Sequence, residues 1–465
     1  MHELEVTSPA TGEKVGVVSA ADADDVRAAI GAARHGAEAM EEMAPFERAE
    51  RLHVVADLIE EQAEELARQL TMESGKPIGE ATDEVAESAD IFRWAAEEAK
   101  RLETPALPGA DPNKVVLTFR KPNGVYALIT PWNFPMNIPA ELVAPALAGG
   151  NAAILKPSEL TPLSGMALVA AAQEAGFPEG AATVLNGGGE VGRALVEHEA
   201  VDAVGFVGSH QTAEAIVRAA GLKRTLIEAS GNGPQIVCDD ADLEAAAAAA
   251  VYGASFASGQ CCVATERLLV QESVHGELVP LLLEEAQRAV LGDPLEAATS
   301  IGPLNNEAVA LKMERHLADA VERGGEILVG GARAGGFPTP LYWPLTVVDG
   351  VTPEMLLFRE ESFGPVLPIT TFTDDEEAID LANDSDLGLQ SAVFTSSLKR
   401  AFRYVNRLRA GSIVVNDSTD FWEPHPPFGG ASRTRTGWGR IGGKYTLLDM
   451  TDLRTAIIDV EKTDD

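Results

Sequence analysis

The stretch VYALITPWNFPMNIPAELVAPALAGGNAAILKPSE, from Val125 to Glu159, decides how the rest of the chain is read. It opens and nears its close on short apolar runs, 125–129 and 152–155, of the kind that form strands buried on both faces. Between such runs lie helical segments of ten residues or more, of which 162–175 is the plainest. Further apolar runs follow at 182–185, 203–207 and 225–227. Strands alternating with helices imply a parallel sheet covered by helices on both faces. The alternation resumes after Ala241, with a strand expected at 267–271 and helices at 274–291 and 307–323. The chain therefore reads as two α/β domains in sequence, joined near 231–240.

Upstream, the first hundred residues read as helices. Val26, Ile30, Ala33 and Ala37 share one face, and Leu52, Val55, Ile59, Ala63, Leu66 and Leu70 share another, with charge opposite. Gly75-Lys76-Pro77 stops that second helix, and a third is expected over 78–102. A turn-rich break at 105–113 leads into a strand-like segment at 115–120.

At 465 residues the chain is too long for one compact core. Acidic residues outnumber basic ones 72 to 36, a formal net charge of -36, which repels nucleic acid and anionic membranes. The excess is spread along the whole chain, as in proteins adapted to concentrated salt, where counterions screen the self-repulsion. No run reaches the roughly 18 apolar residues of a membrane span. The Ala-rich segment 243–257 reads as a buried helix. The N-terminus is acidic where a signal peptide would be basic, so a cytoplasmic location is expected. Three cysteines, Cys238, Cys261 and Cys262, supply no disulfide framework for such a length, and no metal site is expected.

Four local clusters carry chemistry. In Phe256-Ala257-Ser258-Gly259-Gln260-Cys261-Cys262-Val263-Ala264, a Cys follows a Gly-containing turn in a Cys-poor chain. It is a candidate nucleophile, though a lone Cys is more often a small buried apolar residue. Local reasoning does not choose between the two neighbours. In Thr225-Leu226-Ile227-Glu228-Ala229-Ser230-Gly231, Glu228 ends a strand before a flexible turn, where a carboxylate can act as a general base. In so acidic a chain, a solvated strand-end Glu is the blander reading. In Thr130-Pro131-Trp132-Asn133-Phe134-Pro135, two prolines stiffen a segment whose Asn133 amide can donate to an oxyanion, or merely bond backbone in a turn. Lastly, Lys156-Pro157-Ser158-Glu159 follows a strand, and Gly205-Phe206-Val207-Gly208-Ser209 precedes a helix whose first N–H groups can hold a pyrophosphate. The spacing of Gly205 and Gly208 departs from a G-x-G-x-x-G fingerprint, so that signal is weak alone.

Together, and in this order, the clusters resemble the aldehyde dehydrogenase superfamily from about residue 5 to about residue 460. Glu361-Ser362-Phe363-Gly364-Pro365 and Pro427-Phe428-Gly429-Gly430 are similar to further signatures of that family. The resemblance implies an α/β fold with a Rossmann-like cofactor domain (1–104 and 123–231), an α/β catalytic domain (232–437) and small β oligomerisation strands (105–122 and 438–465). It implies Cys262 as nucleophile, with Cys261 in a variable slot, Glu228 as general base and Asn133 as oxyanion donor. For the cofactor it implies Thr130, Trp132, Lys156 and Glu159 toward the adenosine ribose side of the cleft. Gly208 and Ser209 fall at the pyrophosphate, Glu361 and Phe363 at the nicotinamide ribose. The expected reaction is oxidation of an aldehyde to its acid through a thiohemiacetal and a thioester on Cys262, with NAD as cofactor and NADP as a second possibility. Glu159 favours NAD, because a carboxylate at the ribose repels a 2′-phosphate.

The residues around 415–421 and the overall length resemble the archaeal lactaldehyde and glyceraldehyde branch, with semialdehyde dehydrogenases close behind. A homodimer or homotetramer is implied, through the strand-like segments 115–120 and 451–460. A CoA-acylating enzyme, or a catalytically silent binding protein on the same fold, is the competing reading; retention of both Cys262 and Glu228 weighs against each. Three departures from the family pattern stand out: Ala229-Ser230 after the base, Ala213 where Gly is common, and Thr436-Gly437-Trp438-Gly439-Arg440 arriving two residues late.

Overall fold

The computed structural model describes residues 2–461. The five apolar runs between 125 and 228 form parallel strands, Val125–Ile129, Ala152–Lys156, Ala182–Val184, Ala203–Val207 and Arg224–Glu228. Their order across the sheet places Val125–Ile129 between Ala152–Lys156 on one side and Ala203–Val207 on the other. Successive connections thus run away from the first strand in opposite directions. At such a reversal the loops diverge at the carboxyl ends of the strands and leave a crevice that suits a dinucleotide. The loops beginning at Thr130 and at Gly208 flank it. Every residue of the helix Asn137–Ala148 is buried, as its apolar composition on all faces requires.

After Glu228 the chain leaves this sheet and enters a second one at Pro234–Val237. The second sheet has seven strands, ordered Glu326–Val329, Thr346–Asp349, Val366–Phe372, Arg267–Gln271, Pro234–Val237, Gln390–Phe394 and Ser412–Val415. Its pairings are parallel except at the Glu326–Val329 edge. Buried Arg267 ties the crossover together: its guanidinium donates to the carbonyls of Asn232, Leu381 and Ala382 at 2.9–3.0 Å.

A third sheet pairs Thr451–Asp459 antiparallel with Lys114–Pro122, which also pairs with Ala106–Leu107. Among the described residues, no helix is long and apolar enough to cross a membrane. The Ala-rich run forms the helix Leu243–Ser255 with a buried face, as expected.

Several expectations need correction. The N-terminal region is not helical throughout: His2–Thr7 and Lys14–Ala20 form an antiparallel hairpin before the first helix, Ala23–Glu42. The apolar stripe from Leu52 to Leu70 belongs to two helices, Pro45–Glu61 and Ala63–Ser74, broken at Gln62. A one-residue break keeps the stripe in phase, so periodicity does not reveal it. The third helix, Ile78–Ala99, ends earlier than expected. The helix expected over 274–291 is Glu272–Ala286; Leu291 instead bridges to Ile301. The segment that arrives two residues late forms a short strand, Gly437–Trp438, antiparallel to Arg224–Glu228, with Gly437 opposite Glu228.

Candidate active site

The approach to Cys262 is a strained turn. Ala257, Ser258 and Gly259 hold φ of 51°, 57° and 72°, left-handed conformations costing about 1–3 kcal/mol at each non-glycine residue. Tertiary contacts hold them. Glu80 accepts from Ala257 N at 2.9 Å, Ser258 Oγ donates to Gly302 O at 3.1 Å, and Gln260 Oε1 accepts from Asn305 N at 2.8 Å. A Cβ on Gly259 would lie 2.3 Å from the backbone of Gly364, so only glycine fits. Asn133 Nδ2 donates to Gln260 O at 3.0 Å, tying the proline-stiffened loop to the same turn. Cys262 emerges half-buried, and all three cysteines are free thiols.

Cys262 opens onto a cavity of about 320 Å³ whose walls include Trp132, Asn133, Gly208, Ser209, Glu228, Glu361 and Phe363. Of the site residues expected from sequence, eight therefore share one space. Thr130, Lys156 and Glu159 lie outside it. Glu228 is 2% exposed, and its Oε1 meets no protein donor. Burial raises its carboxyl to about 8, and the neighbouring charge of Glu361 adds to the rise. Contact with Cys261, then burial, then the Glu228 charge push the Cys262 thiol well above its usual value. In the free enzyme both groups therefore hold protons near neutral pH.

Sequence reasoning passed over several groups that build this space. Lys312, on the helix Glu307–Glu322, lines the cavity and lies 5.7 Å from the centre of the Phe363 ring. On an amphipathic helix it reads as an ordinary exposed cation. Buried Glu266 accepts from Ser362 N and Phe363 N, both at 2.8 Å, and so fixes the loop carrying Glu361 and Phe363. Gly231 N donates to Glu361 Oε1 at 3.1 Å, and a Cβ on Gly231 would fall 2.0 Å from Cys262 O. Ser230, at φ 70°, donates to Gly208 O at 3.4 Å, a link between the end of the Glu228 strand and the glycine loop.

The crevice fits a dinucleotide. The buried Thr130 Oγ1 has no protein partner, and Lys156 Nζ lies 3.5 Å from Glu159 Oε2 at the strand's carboxyl end. The helix His210–Ala220 starts beside Gly208, with Ser209 as its cap accepting from Thr212 N at 3.4 Å. Its first turn points N–H groups toward the crevice, a ready site for phosphate. Trp132 meets Phe363 edge to face at 5.4 Å and closes one side.

Comparison with known proteins agrees with this architecture. The sequence model of the aldehyde dehydrogenase family matches residues 1–456. A glutarate-semialdehyde dehydrogenase of Pseudomonas aeruginosa is 37% identical over 457 residues, 97% of this chain and 93% of that protein. The crystal structure of an NAD-dependent aldehyde dehydrogenase from Sinorhizobium meliloti superposes with a TM-score of 0.96 at 38% identity, covering 100% of this chain and 93% of that one. That of glyceraldehyde-3-phosphate dehydrogenase from Methanocaldococcus jannaschii, complexed with NADP, gives 0.94 at 34% identity, covering 98% and 99%. The chain belongs to the aldehyde dehydrogenase family and is an NAD(P)-dependent aldehyde oxidoreductase.

Proposed function

We propose that this enzyme converts an aldehyde to the free carboxylic acid by covalent catalysis on Cys262, with Glu228 as base for the hydrolytic half. The observation that carries the reading is the convergence of Cys262, Asn133, Glu228, Glu361 and Phe363 on one cavity. The Cys262 sulfur, once deprotonated, adds to the carbonyl carbon. Asn133 gives one amide hydrogen to Gln260 O and keeps a second for the resulting oxyanion. A nicotinamide dinucleotide, when bound, supplies the hydride acceptor. The acyl group stays on Cys262 as a thioester, in the same cavity as Glu228, whose Oε1 meets no protein donor. Glu228 Oε1 takes a proton from water, and the acid leaves. Cys262→Ser tests the chemistry: a weaker nucleophile should cut aldehyde-dependent cofactor reduction at least about a hundredfold, and an undiminished rate would refute the scheme.

Thr130, Lys156 and Glu159 would hold the adenosine end, Gly208 and Ser209 the pyrophosphate, and Glu361 with Phe363 the nicotinamide ribose. The half-exposed Glu159 carboxylate supports a preference for NAD over NADP. The ratio of kcat/KM for the two cofactors measures it; a clear advantage for NADP would contradict it. The substrate is a short aldehyde with a polar group at its far end, a description spanning lactaldehyde, glyceraldehyde and the semialdehydes.

We assign residues 1–104 and 123–231 to a cofactor domain, 232–437 to a catalytic domain, and 105–122 with 438–465 to oligomerisation. Exposed Leu453, Ile457 and Ile458 on the strand Thr451–Asp459 support pairing into a homodimer or homotetramer. Dispersed acidity supports a salt-rich cytoplasm as its setting.

A further inference from the structure

Glu361 and Phe363 line the cavity at Cys262, while Ser362 between them is fully buried outside it. The partner of Ser362 is His316, on the helix Glu307–Glu322 one turn beyond Lys312 and itself 0% exposed. His316 Nδ1 lies 3.1 Å from Ser362 Oγ, and its Nε2 lies 3.2 Å from both Glu360 Oε2 and Arg315 Nη2. In either neutral tautomer both ring nitrogens are engaged, one with the Ser362 hydroxyl and the other with the Arg315–Glu360 ion pair. Burial lowers the ring to about 4, against the pull of the Glu360 charge, so it is neutral near pH 7.

This contact is a second grip on a strained segment. Phe363 holds φ of 59°, a left-handed conformation that a side chain keeps only when its surroundings impose it. Glu266 binds the backbone N–H groups of Ser362 and Phe363. Among the described residues, His316 is the one partner of the Ser362 side chain. Helix and loop press closely together, since a Cβ on Gly364 would lie 2.2 Å from Met313 Sδ. The same helix brings Val309 and Lys312 to the cavity wall. The bond from His316 to Ser362 therefore ties two walls of one space to each other. The bond to Glu360 ends on a half-exposed carboxylate, where solvent competes.

We propose that His316 is a positioning residue for hydride transfer: through Ser362 it holds Glu361 and Phe363 where they meet the nicotinamide ribose, and it leaves the adenosine end of the crevice untouched. The inference rests on the assignment of Glu361 and Phe363 to that ribose. A ribose held off its place would tilt the nicotinamide ring against the carbon on Cys262, and the rate of transfer falls steeply with such a displacement.

His316→Phe keeps the bulk of the ring and removes both hydrogen bonds. On rapid mixing with aldehyde and NAD, the burst of reduced cofactor should slow by about tenfold to a hundredfold, and NAD should bind more weakly at equilibrium. The Kd of AMP, which fills only the adenosine end, should stay within about twofold of the parent's. An unchanged burst, or an equal loss of AMP and NAD binding, overturns the inference. A second pair of variants stands even if His316→Phe fails to fold. In His316→Asn the amide falls near the position of Nδ1 and keeps the link to Ser362; in His316→Gln it falls near Nε2 and keeps the link to Glu360. Asn should restore most of the burst rate and Gln should not, and equal rates for the two overturn the inference. Glu361→Leu tests the assignment beneath. If it also leaves NAD binding and the burst unchanged, the ribose assignment fails together with the inference; if it impairs both while His316→Phe does not, the inference fails alone.

Discussion

Glu228 and Cys262 both hold their protons more tightly than free side chains do, Glu228 through burial and the charge of Glu361, Cys262 through its contact with Cys261 and then burial. The proposed reaction needs both deprotonated, so the rate should climb as pH rises toward about 8, where the Glu228 carboxyl ionises. A kcat profile that falls over that interval would contradict the assignment of Glu228 as base. Glu228→Gln separates the two halves of the cycle. Acylation should persist as a single burst of reduced cofactor, followed by a steady state lowered about 10²–10⁴-fold. Rapid-mixing absorbance measures both phases, and a steady rate equal to the parent's would remove Glu228 from the mechanism. Residue types at this scale were legible in the sequence. Their protonation was not, because it depends on neighbours as remote in the chain as Glu361.

Helices and loops meet the site through buried charge. Lys76, at the head of the helix Ile78–Ala99, pairs with Glu84, whose other oxygen accepts from Met136 N at 3.0 Å and Asn137 N at 3.2 Å. Glu84 therefore anchors the start of the helix that carries Ile138 and Glu141. Removing one partner of such a pair strands a charge, so Lys76→Met should cost about 3–5 kcal/mol of stability. The double variant Lys76→Met/Glu84→Gln should lose less than the two single changes summed. Urea unfolding midpoints read both; a Lys76→Met midpoint within error of the parent would dismiss the pair as an anchor. In the sequence, Gly75-Lys76-Pro77 was legible as a helix stop. The partner of Lys76 was not, since a lysine and a glutamate eight residues apart in an acidic chain read as surface. The N-terminal hairpin was missed because its residues alternate only weakly, and its register is set by pairing across a turn.

Over the whole molecule, net charge and buried acids act together. Folding raises Glu73, Glu87, Glu266 and Glu361 to about 7, and Glu80 and Glu228 to about 8, all from 4.5 and chiefly by burial. The folded state binds more protons than the unfolded chain between those limits, so their stabilising contribution is full below pH about 4.5 and lost as pH climbs through 7–8. A formal net charge of -36 adds self-repulsion that salt screens. The thermal unfolding midpoint should therefore drop between pH 6 and pH 8.5, and molar KCl should raise it at either pH. A midpoint insensitive to KCl would argue that the acidic surface is not under strain at low salt.

What the sequence by itself determined is the alternation that makes a covered parallel sheet, the Gly-containing turn before Cys262, and the residue types proposed as nucleophile, base and amide donor. These follow from local periodicity and side-chain chemistry, which neighbours in the chain settle. Only the tertiary structure decided that Glu266 grips the Glu361–Phe363 loop, that Lys312 faces the cavity, and that the late-arriving Gly437–Trp438 lies against the strand of Glu228. Each is a contact between segments far apart in the chain. Periodicity carries no record of which distant surfaces meet; packing alone fixes that.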